Sequence, residues 1–420
     1  MTDSRELILG LIVREGFDID DYIETAHEAE AAKIHTLFVA DGLSTDPSNP
    51  RGNLEPITLL SALAAETKHI GLIATISSTF TDPFTVARQM ASLDHISNGR
   101  AGWNVVTSAN GEENFGPKEM PKLDERYVLA EEHMTVAKKL WASWGDGAIS
   151  HRHSGFTVDA SKVHTIDHEG THFQVKGPLN ISRTPQGRPI IAQAGTSEDG
   201  QAFGARHADM IFTTGLDGLE DSQELYAQIK RRVLDFGRDP EQVKFTPGVF
   251  PIVAETDEAA QEIFETALAN VDYVAGVRAM APMFGGIDLS GYELDEPVPP
   301  GALPDEGDID RRRSRYVVLK RYLEAPGQRR TLRDLVRYHS AGAGHWVVVG
   351  SAATVADKLQ ERFENAAADG FILIDAYNKF PGSLHGITRL LIPELQRRGL
   401  FHTEYSALNL RESLGLNDPE

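Results

Sequence analysis

The chain alternates short apolar segments rich in β-branched residues with longer segments of helical periodicity, and this alternation constrains the fold more than any other feature. Strands that alternate with helices predict parallel βα units. Eight such strands predict an α/β fold of the (β/α)8 TIM-barrel type, and a doubly wound open sheet is the alternative that the pattern leaves open. The predicted strands are Leu7–Val13, Thr36–Ala40, Ile70–Ser77, Arg100–Val106, Pro189–Ala194, Met210–Thr214, Val243–Ala254 and Phe371–Asp375.

The segments between these strands have the marks of amphipathic helices. Asp82 is a typical N-cap, and Pro83 is a typical first helical residue. The apolar residues that follow, Val86, Met90 and Leu93, then fall on one helix face. The same spacing recurs in two later segments, through Leu225, Ile229, Val233 and Phe236, and through Val355, Leu359 and Phe363.

Two stretches interrupt the alternation. Residues 146–188 are rich in His, Gly and polar side chains, and they predict an insertion of short strands. Residues 280–344 contain the strong turn signal Pro299-Pro300-Gly301. We therefore expect residues 1–420 to form a single TIM-barrel domain with insertions at about 146–188 and 280–344. Long insertions of this kind typically act as lids or substrate loops.

Charge and composition exclude several kinds of function. The net charge of −21 argues against nucleic acid and anionic membranes as partners, because binding to phosphates needs a basic surface. No apolar run approaches the ~20 residues of a membrane span, and Met1–Glu6 shows no export signal. The absence of cysteine removes disulfides, thiolate nucleophiles and cysteine-based metal sites. We expect a cytoplasmic enzyme with a small-molecule substrate.

Polar residues follow the fourth predicted strand, in the segment SNGRAGWNVVTSANGEENFG at Ser97–Gly116. The strand ends inside this segment, so Trp103, Asn104 and Thr107 are expected near the carboxyl rim of the barrel, where TIM-barrel active sites lie. The Asn and Thr can hydrogen-bond the polar edge of a flat heterocycle, and the Trp can form an apolar wall. A packed strand followed by an ordinary polar loop is the alternative.

A second candidate site follows the fifth predicted strand. Ala194-Gly195-Thr196-Ser197 opens a helix, so free backbone N–H groups and two hydroxyls converge there, as an anion requires. The alternative is a simple N-cap, and barrel phosphates more often lie after strands seven and eight.

Two further patterns, one of histidines and one of arginines, allow both a functional and a structural interpretation. His164, His168 and His172 have helical spacing, but Gly170 and the β-rich composition argue against a helix, so we expect no metal site. Arg311–Arg313 predicts a solvated helix face, with an anion or a partner as the alternative.

Motifs along nearly the whole chain resemble one family. NGRAGWNVVTS followed by ENFG is similar to the signature of the bacterial luciferase-like flavin monooxygenases, in the group of nitrilotriacetate monooxygenase, dibenzothiophene-sulfone monooxygenase and pristinamycin synthase. Other segments that resemble the same group, in its order, are FVADGL at Phe38–Leu43, ATISSTF at Ala74–Phe80, DERY at Asp124–Tyr127, QAGTSEDG around Thr196 and the tail GLFHTEYSALNLRESLGL.

The resemblance implies a TIM barrel and FMN as cofactor. Reduced FMN would come from a separate NAD(P)H-dependent flavin reductase and react with O2 to form a flavin hydroperoxide. That species would oxygenate a small organic substrate: an aromatic heterocycle, an amine or a sulfur compound. A homo-oligomer, dimer or tetramer, is also expected. Since the cofactor carries the chemistry, the resemblance names no catalytic side chain.

The resemblance also implies which residues bind the flavin. Ser77 matches a small polar residue at the end of strand three, and Asp41 matches an acidic residue after strand two. The full set of implied flavin-binding residues is Asp41, Ser77, Asn104, Thr107, Tyr127, Thr196 and Ser197. Phe80, Trp103 and Phe115 are candidate walls of the substrate pocket, although aromatic residues at strand ends often belong to the core.

Two departures from the family pattern affect the expected site. Leu123 stands where the family's HDxRY run has a histidine, so one polar flavin contact becomes apolar. The first loop, Val13–Phe17, is short and lacks the family's Trp-Arg pair on the substrate side. Three alternatives therefore stay open: a flavin-degrading lyase on the same fold, a deazaflavin-dependent dehydrogenase and a non-catalytic flavin-binding protein.

Overall fold

The computed structural model describes residues 5–13, 15–45, 47, 50, 52–115, 119–152, 155–195, 197–299, 301–309, 313–325, 327–375, 380 and 382–419. Its strands are β1 (Ile8–Ile12), β2 (Thr36–Val39), β3 (Gly71–Ser77), β4 (Ala101–Val106), β5 (Ile149–Arg152), β6 (Gly155–Val158), β7 (His168–Glu169), β8 (Gln174–Val175), β9 (Ile190–Gln193), β10 (Met210–Ile211), β11 (Lys244–Phe245), β12 (Gly248–Ala254), β13 (Trp346–Ser351) and β14 (Gly370–Ile374).

Among the described residues, helices alternate with the strands of the barrel, except that four helices lie between β12 and β13 and three follow β14. They are α1 (Ile19–Ala31), α2 (Pro56–Glu66), α3 (Pro83–Ile96), α4 (Leu123–Trp141), α5 (Glu198–His207), α6 (Leu219–Asp235), α7 (Asp257–Ala269), α8 (Tyr273–Met280), α9 (Arg313–Leu323), α10 (Leu332–Gly342), α11 (Ala352–Glu364), α12 (Ser383–His385), α13 (Ile392–Arg397) and α14 (Leu410–Ser413). The α3 cap is as predicted, since the Asp82 carboxylate accepts the N–H of Phe84 at 2.9 Å. No helix in the described part of the chain is long and apolar enough to cross a membrane.

The parallel strands form a closed barrel. The main sheet runs β11-β10-β9-β4-β3-β2-β1-β14-β12-β13, and β11 and β12 are two halves of one chain segment. That segment joins the two ends of the sheet, because Gly248 N donates to Thr213 O (2.8 Å) and Ile372 N donates to Pro247 O (3.1 Å). The predicted TIM barrel is therefore confirmed. Seven of its eight strands lie within predicted segments, and β14 begins at Gly370, one residue before the predicted Phe371.

One strand of the sheet was not predicted. β13 pairs in parallel with the outer half of β12, from Val249 opposite Trp346 to Ala254 opposite Ser351. Its sequence, WVVVGS before a helix, has the same βα pattern as the barrel strands. β13 lies beside the part of β12 that continues past the end of β10, and it is not one of the eight barrel strands. Periodicity alone does not distinguish it from them.

Side chains alternate between two cores across the barrel wall. Leu9, Trp103 and Ile191 belong to the large cluster that includes the surrounding helices. Ile8 and Ile73 belong to a second cluster, the barrel interior, which α14 closes from below with residues such as Leu410. This alternation of period two is what a strand in a barrel wall requires.

The two interrupting stretches differ in structure. Between residues 146 and 188, β5 pairs with β6 and β7 pairs with β8, each antiparallel. The stretch before β13 is helical and has a hydrophobic cluster of its own. That cluster includes Val277 on α8, which begins before residue 280, and its largest buried side chains are Met280, Phe284, Tyr316, Leu319 and Leu335.

Candidate functional site

A cavity of about 480 Å³ opens at the carboxyl ends of the barrel strands, and we call it the strand-end cavity. It lies among the loops after β2, β3, β4 and β9 and the first turn of α4. This is the barrel face on which TIM-barrel active sites lie. Five predicted flavin-binding residues meet there: Asp41, Ser77, Thr107, Tyr127 and Ser197.

Hydroxyl groups lock the ends of β3 and β4 together. The Ser77 hydroxyl accepts a hydrogen bond from Ser108 Oγ (2.7 Å) and another from the Thr79 N–H (3.2 Å). Thr79 Oγ1 in turn donates to the carbonyl of Thr107 (2.8 Å). The loops that form one wall of the cavity are therefore fixed relative to each other.

Tyr127 and the start of α5 form the opposite part of the site. The Tyr127 hydroxyl forms hydrogen bonds with Ser197 and Thr107, and burial raises the pKa of its phenol, so it stays protonated at neutral pH. The phenol reaches this point only because Gly195 and Gly200 lack side chains. A Cβ atom would lie 2.6 Å from the Tyr127 oxygen at Gly195 and 2.7 Å from it at Gly200.

Ser197 is the N-cap of α5, and its Oγ accepts the N–H of Gly200 (3.2 Å). Capping and anion binding are compatible, because the first helical N–H groups lack partners within the helix. Thr196 lies outside the described residues, so its predicted role stays a prediction.

Arg126 is a site residue that the sequence reading missed, although it lies inside the quoted DERY run. Its side chain is buried, lines the strand-end cavity and donates to the carbonyl of Ser108. Leu123 lines the same wall, four residues before Tyr127. This wall therefore contains the buried guanidinium of Arg126. It also contains the apolar side chain of Leu123, at the position where the family resemblance implies a histidine.

Asp41 supplies the acidic group of the cavity. Burial raises the pKa of its carboxyl, and the charge of Glu55 adds to the rise. Hydrogen bonds from the Gly42 backbone and the Asn53 side chain oppose it. Asp41 is therefore easier to protonate than an exposed aspartate.

Asn104 and Trp103 occupy opposite faces of β4. The Asn104 side chain is buried and donates to Thr75 Oγ1 (3.0 Å), a cavity-lining group, while its Oδ1 has no hydrogen-bond partner. The prediction that Trp103 forms a pocket wall is wrong. Because neighbouring strand residues point in opposite directions, Trp103 faces the helices, where its indole donates to Ile76 O (3.1 Å) and lies 5.4 Å from the His133 ring.

Phe80 and Phe115 lie together but do not line the strand-end cavity. Their rings stack with centroids 4.7 Å apart and planes 12° apart, and Phe115 is 37% exposed. They form an aromatic pair on the loops after β3 and β4. Their predicted role as substrate walls stays a prediction.

A second cavity, of about 430 Å³, lies where the helical insertion packs on α6 and the end of β10, and we call it the insertion cavity. Tyr322 and Tyr338 stack there with centroids 4.0 Å apart, and the Arg330 guanidinium lies 3.9 Å from the Tyr322 centroid. The buried Nε of Arg330 has no hydrogen-bond partner. Burial raises the pKa of Asp217, which also lines this cavity, although Arg362 and Arg330 oppose the rise.

Comparisons with known proteins agree with this geometry. The sequence model of the family described as "Luciferase-like monooxygenase" matches residues 8–370. The chain is 42% identical over 408 residues to N-acetyl-S-(2-succino)cysteine monooxygenase of Bacillus subtilis, covering 96% of this chain and 91% of the relative. It is 39% identical over 421 residues to nitrilotriacetate monooxygenase component A of Aminobacter aminovorans, with coverage of 96% and 91%.

A solved structure with a closely similar fold is that of riboflavin lyase (RcaE) with modified FMN and riboflavin. The TM-score is 0.83 at 30% sequence identity, and the match covers 98% of this chain and 96% of the lyase.

Proposed function

The chain belongs to the luciferase-like monooxygenase family, and from that premise we propose that it uses reduced FMN and O2 to oxygenate a small organic substrate. The observation that carries this proposal is the convergence of Tyr127, Ser197 and the buried Arg126 in one cavity at the carboxyl face of the barrel. This set provides donors and a positive charge for the phosphate of FMN.

The remaining lining fits a flat heterocycle with a polar edge. Gln193 lines the strand-end cavity, and its buried Oε1 has no hydrogen-bond partner. Asn104 Oδ1 is also unpartnered, and the side chain lies directly behind Thr75. Buried polar groups without partners are uncommon and point to an absent ligand or water. The cavity of about 480 Å³ is also within the usual size range of cofactor sites.

The protein's part in the reaction is binding, orientation and exclusion of water. Reduced FMN supplies the chemistry that activates O2 when it is bound. Ser197, Tyr127 and the α5 N-terminus would hold the phosphate, while Ser77, Thr107 and Gln193 would orient the ring. Because burial keeps Tyr127 protonated, its hydroxyl acts as a donor rather than as a base.

We place the organic substrate on the insertion side of the barrel mouth. Thr213 and Thr214, which follow β10, line the insertion cavity, so this cavity opens on the same barrel face as the flavin site. The names of the two relatives denote substrates that carry carboxylates. Arg321 and Arg330 line the insertion cavity and supply matching charges, and Asp217, Asp221 and Glu224 line it too, so a substrate amine would also find a counter-charge. A carboxylate-bearing thioether or amine is therefore the substrate class that the cavity supports best.

A flavin reductase is the expected partner, since a relative is named as component A of its enzyme. The chain has no G-x-G-x-x-G between a strand and a helix, the dinucleotide fingerprint. We expect the purified chain with FMN to oxidise NADH at a negligible rate, and an added FMN reductase to start turnover. Rapid NADH oxidation by the chain alone would contradict the two-component proposal.

The substrate is identified by oxygen uptake with reduced FMN and a panel of carboxylate-bearing thioethers and amines, N-acetyl-S-(2-succino)cysteine first. The expected result is oxygenated product with one equivalent of O2 consumed and FMN recovered intact. The fold similarity to a riboflavin lyase supports one alternative, flavin degradation. Loss of intact flavin, with riboflavin consumed and no organic product, would favour that alternative.

A further inference from the structure

A third cavity, of about 470 Å³, lies on the barrel face opposite the flavin site, and we call it the basic cavity. Its residues precede β9 and β10, lie at the end of α4, in α5 and in α14, or follow α6 and α14. Six cationic side chains line it: Lys138, Arg183, Arg188, Arg206, Arg238 and Arg411. This concentration is unusual in a chain with a net charge of −21, and the oxygenation reaction gives it no role.

One buried carboxylate lies among the inner cations. Asp209 accepts two hydrogen bonds from Arg188, at 2.6 and 2.9 Å. Arg411, only 3% exposed, lies farther away, with its nearest contacts to Asp209 at 3.4 and 3.5 Å. Burial alone would raise the pKa of Asp209, but Arg188 and Arg411 hold it well below its usual range. One negative charge is therefore shared by two guanidinium groups.

Among the residues that the structure describes, Lys138 has no carboxylate in hydrogen-bond contact. Its Nζ lies 3.0 Å from His207 Nδ1, so the ammonium donates and the imidazole accepts. His207 then donates through Nε2 to Glu131 (2.7 Å), a carboxylate that also pairs with Arg206 (2.8 Å). Burial, and next the charge of Arg188, lowers the pKa of Lys138 to about 8. Arg238 lowers this pKa further, while Asp209 and Glu131 oppose the change.

Arg238, too, has no carboxylate contact within the described part of the chain. Its two terminal nitrogens donate to the carbonyls of Ala205 and Ala208, both at 2.8 Å. Carbonyl oxygens satisfy the N–H groups but leave the charge in place, and a buried charge without a counter-ion is costly. Among the described residues that line this cavity, Lys138, Arg188, Arg238 and Arg411 thus surround one buried carboxylate, Asp209, while Asp239 and Asp418 are exposed.

We propose that the basic cavity binds a small oxyanion, of the size and charge of phosphate or sulfate. Such a dianion would offset most of the excess charge of the four inner cations and accept charge-assisted hydrogen bonds. Asp239 and Asp418 are exposed at the rim and would repel a larger polyanion. Asn417 and Pro419 form another part of the wall, so a bound anion would also tie the last residues of the described chain to the barrel.

The test is calorimetric titration of sulfate and, separately, phosphate into protein already saturated with FMN, which occupies the other anion site. Chloride keeps the ionic strength constant, because exposed charges are screened by salt. Lys138→Gln should weaken binding by about tenfold, the loss of one charge-assisted hydrogen bond. Lys139→Gln is the matched control: it removes a charge from the next residue of α4, which does not line the cavity, and should leave the affinity unchanged.

Sulfate also provides a pH test, since it stays a dianion throughout the neutral and alkaline range. Lys138 is charged below its pKa of about 8, so sulfate affinity should be high there and fall as the pH rises through that value. Lys138 is faced by His207, Glu131, Arg188, Asp209 and Arg238. Of these, His207 has a pKa lowered by burial and is already neutral in this range, so it does not contribute to the fall.

Three results would overturn the proposal. One is binding no tighter than that of chloride; another is equal affinity in the wild type and Lys138→Gln. The third is tighter binding of a nucleotide such as NADP+ than of sulfate, which would show that the site was built for a larger ligand. Melting temperatures of both variants without added anion show whether Lys138→Gln folds. If it does not, Arg183→Gln is titrated instead and should weaken sulfate binding; Arg183 is a partly buried cation of the cavity wall that pairs with the exposed Asp146 (2.7 Å).

Discussion

The strand-end cavity and the insertion cavity lie on the same barrel face but are built in different ways. The first consists of residues at the ends of strands and of one helix start, such as Ser77, Thr107 and Ser197, whose neighbours are fixed by backbone pairing. The second depends on Tyr322 and Arg330, which reach the barrel only because the insertion folds on its own hydrophobic cluster.

This difference indicates how cofactor and substrate binding are divided. A cavity fixed by the barrel suits a ligand that every catalytic cycle shares, whereas an insertion can change without disturbing the barrel. We therefore expect changes in the strand-end cavity to affect flavin binding and changes in the insertion cavity to affect substrate binding alone. Each prediction below tests that separation.

The largest effect is expected for Ser197→Asp in the strand-end cavity. The new carboxylate would lie beside the FMN phosphate and remove a donor to it. Lost charge-assisted hydrogen bonds and added repulsion should cost about 2–4 kcal/mol, or roughly 30- to 1000-fold in FMN affinity. Aspartate is itself a good N-cap, so α5 should stay intact. Fluorescence titration with FMN measures the change.

Riboflavin is the control ligand for this variant, because it has the same ring without the phosphate. Its affinity should change much less than that of FMN. Equal losses of affinity for the two ligands would show that the phosphate binds elsewhere. The strand-end cavity would then not be the phosphate site.

Arg330→Gln should give the next largest effect, on the substrate only. Arg330 lines the insertion cavity with an unpartnered buried Nε, a donor that a substrate carboxylate can use. Losing a hydrogen bond between charged groups should cost about 1.5–3 kcal/mol, or roughly 10- to 150-fold in kcat/KM. FMN affinity should not change. Steady-state kinetics with the substrate from the panel, beside FMN titration, measures both.

Arg333→Gln is the matched control for Arg330→Gln. Arg333 lies on the same insertion, but it pairs with the exposed Asp295 (2.6 and 3.0 Å) and does not line the cavity. If both variants lowered kcat/KM equally, the effect would come from the stability of the insertion. If Arg330→Gln weakened FMN binding, the two cavities would not be separate sites.

The way in which each cavity is built also explains which of its residues could be predicted from the sequence. Barrel strands carry a period-two pattern, and parallel pairing brings their carboxyl ends together, so Ser77 and Thr107 were placed correctly at one rim. The same rule was misapplied to Trp103, since a residue beside an inward-facing Asn104 must face the helices. Strict alternation of side chains along β4 predicts the correct orientation of Trp103.

Other features depend on contacts between distant segments. Tyr322 and Tyr338 stack across two helices of the insertion, and no periodicity in the sequence pairs them. Arg126 was overlooked because a cation on a polar helix is usually solvated, and only the packing of α4 on the loop at Ser108 buries it. Tyr127 was placed by the family resemblance, because nothing in its local sequence distinguishes it from a surface tyrosine.

The smallest effect is expected for Tyr338→Phe, which tests the insertion cavity without changing charge. The Tyr338 hydroxyl forms a hydrogen bond with Asp217, and burial, with the charge of Asp217 next, raises the pKa of the phenol, so it is a neutral donor. Phenylalanine keeps the stack on Tyr322 but removes the donor. One such hydrogen bond is worth about 0.5–1.5 kcal/mol, or roughly 2- to 12-fold, and we expect that rise in the substrate KM.

Both kcat and FMN affinity should stay unchanged in Tyr338→Phe, because the hydroxyl orients Asp217 at the substrate and contacts no residue of the flavin site. Tyr273→Phe, on α8 of the same insertion but outside the cavity, should leave KM unchanged. A fall in melting temperature with normal KM would make Tyr338 a purely structural residue. A change in FMN affinity would mean that Asp217 affects flavin binding. The proposal that the barrel forms the cofactor site and the insertion forms a separate substrate site would then be wrong.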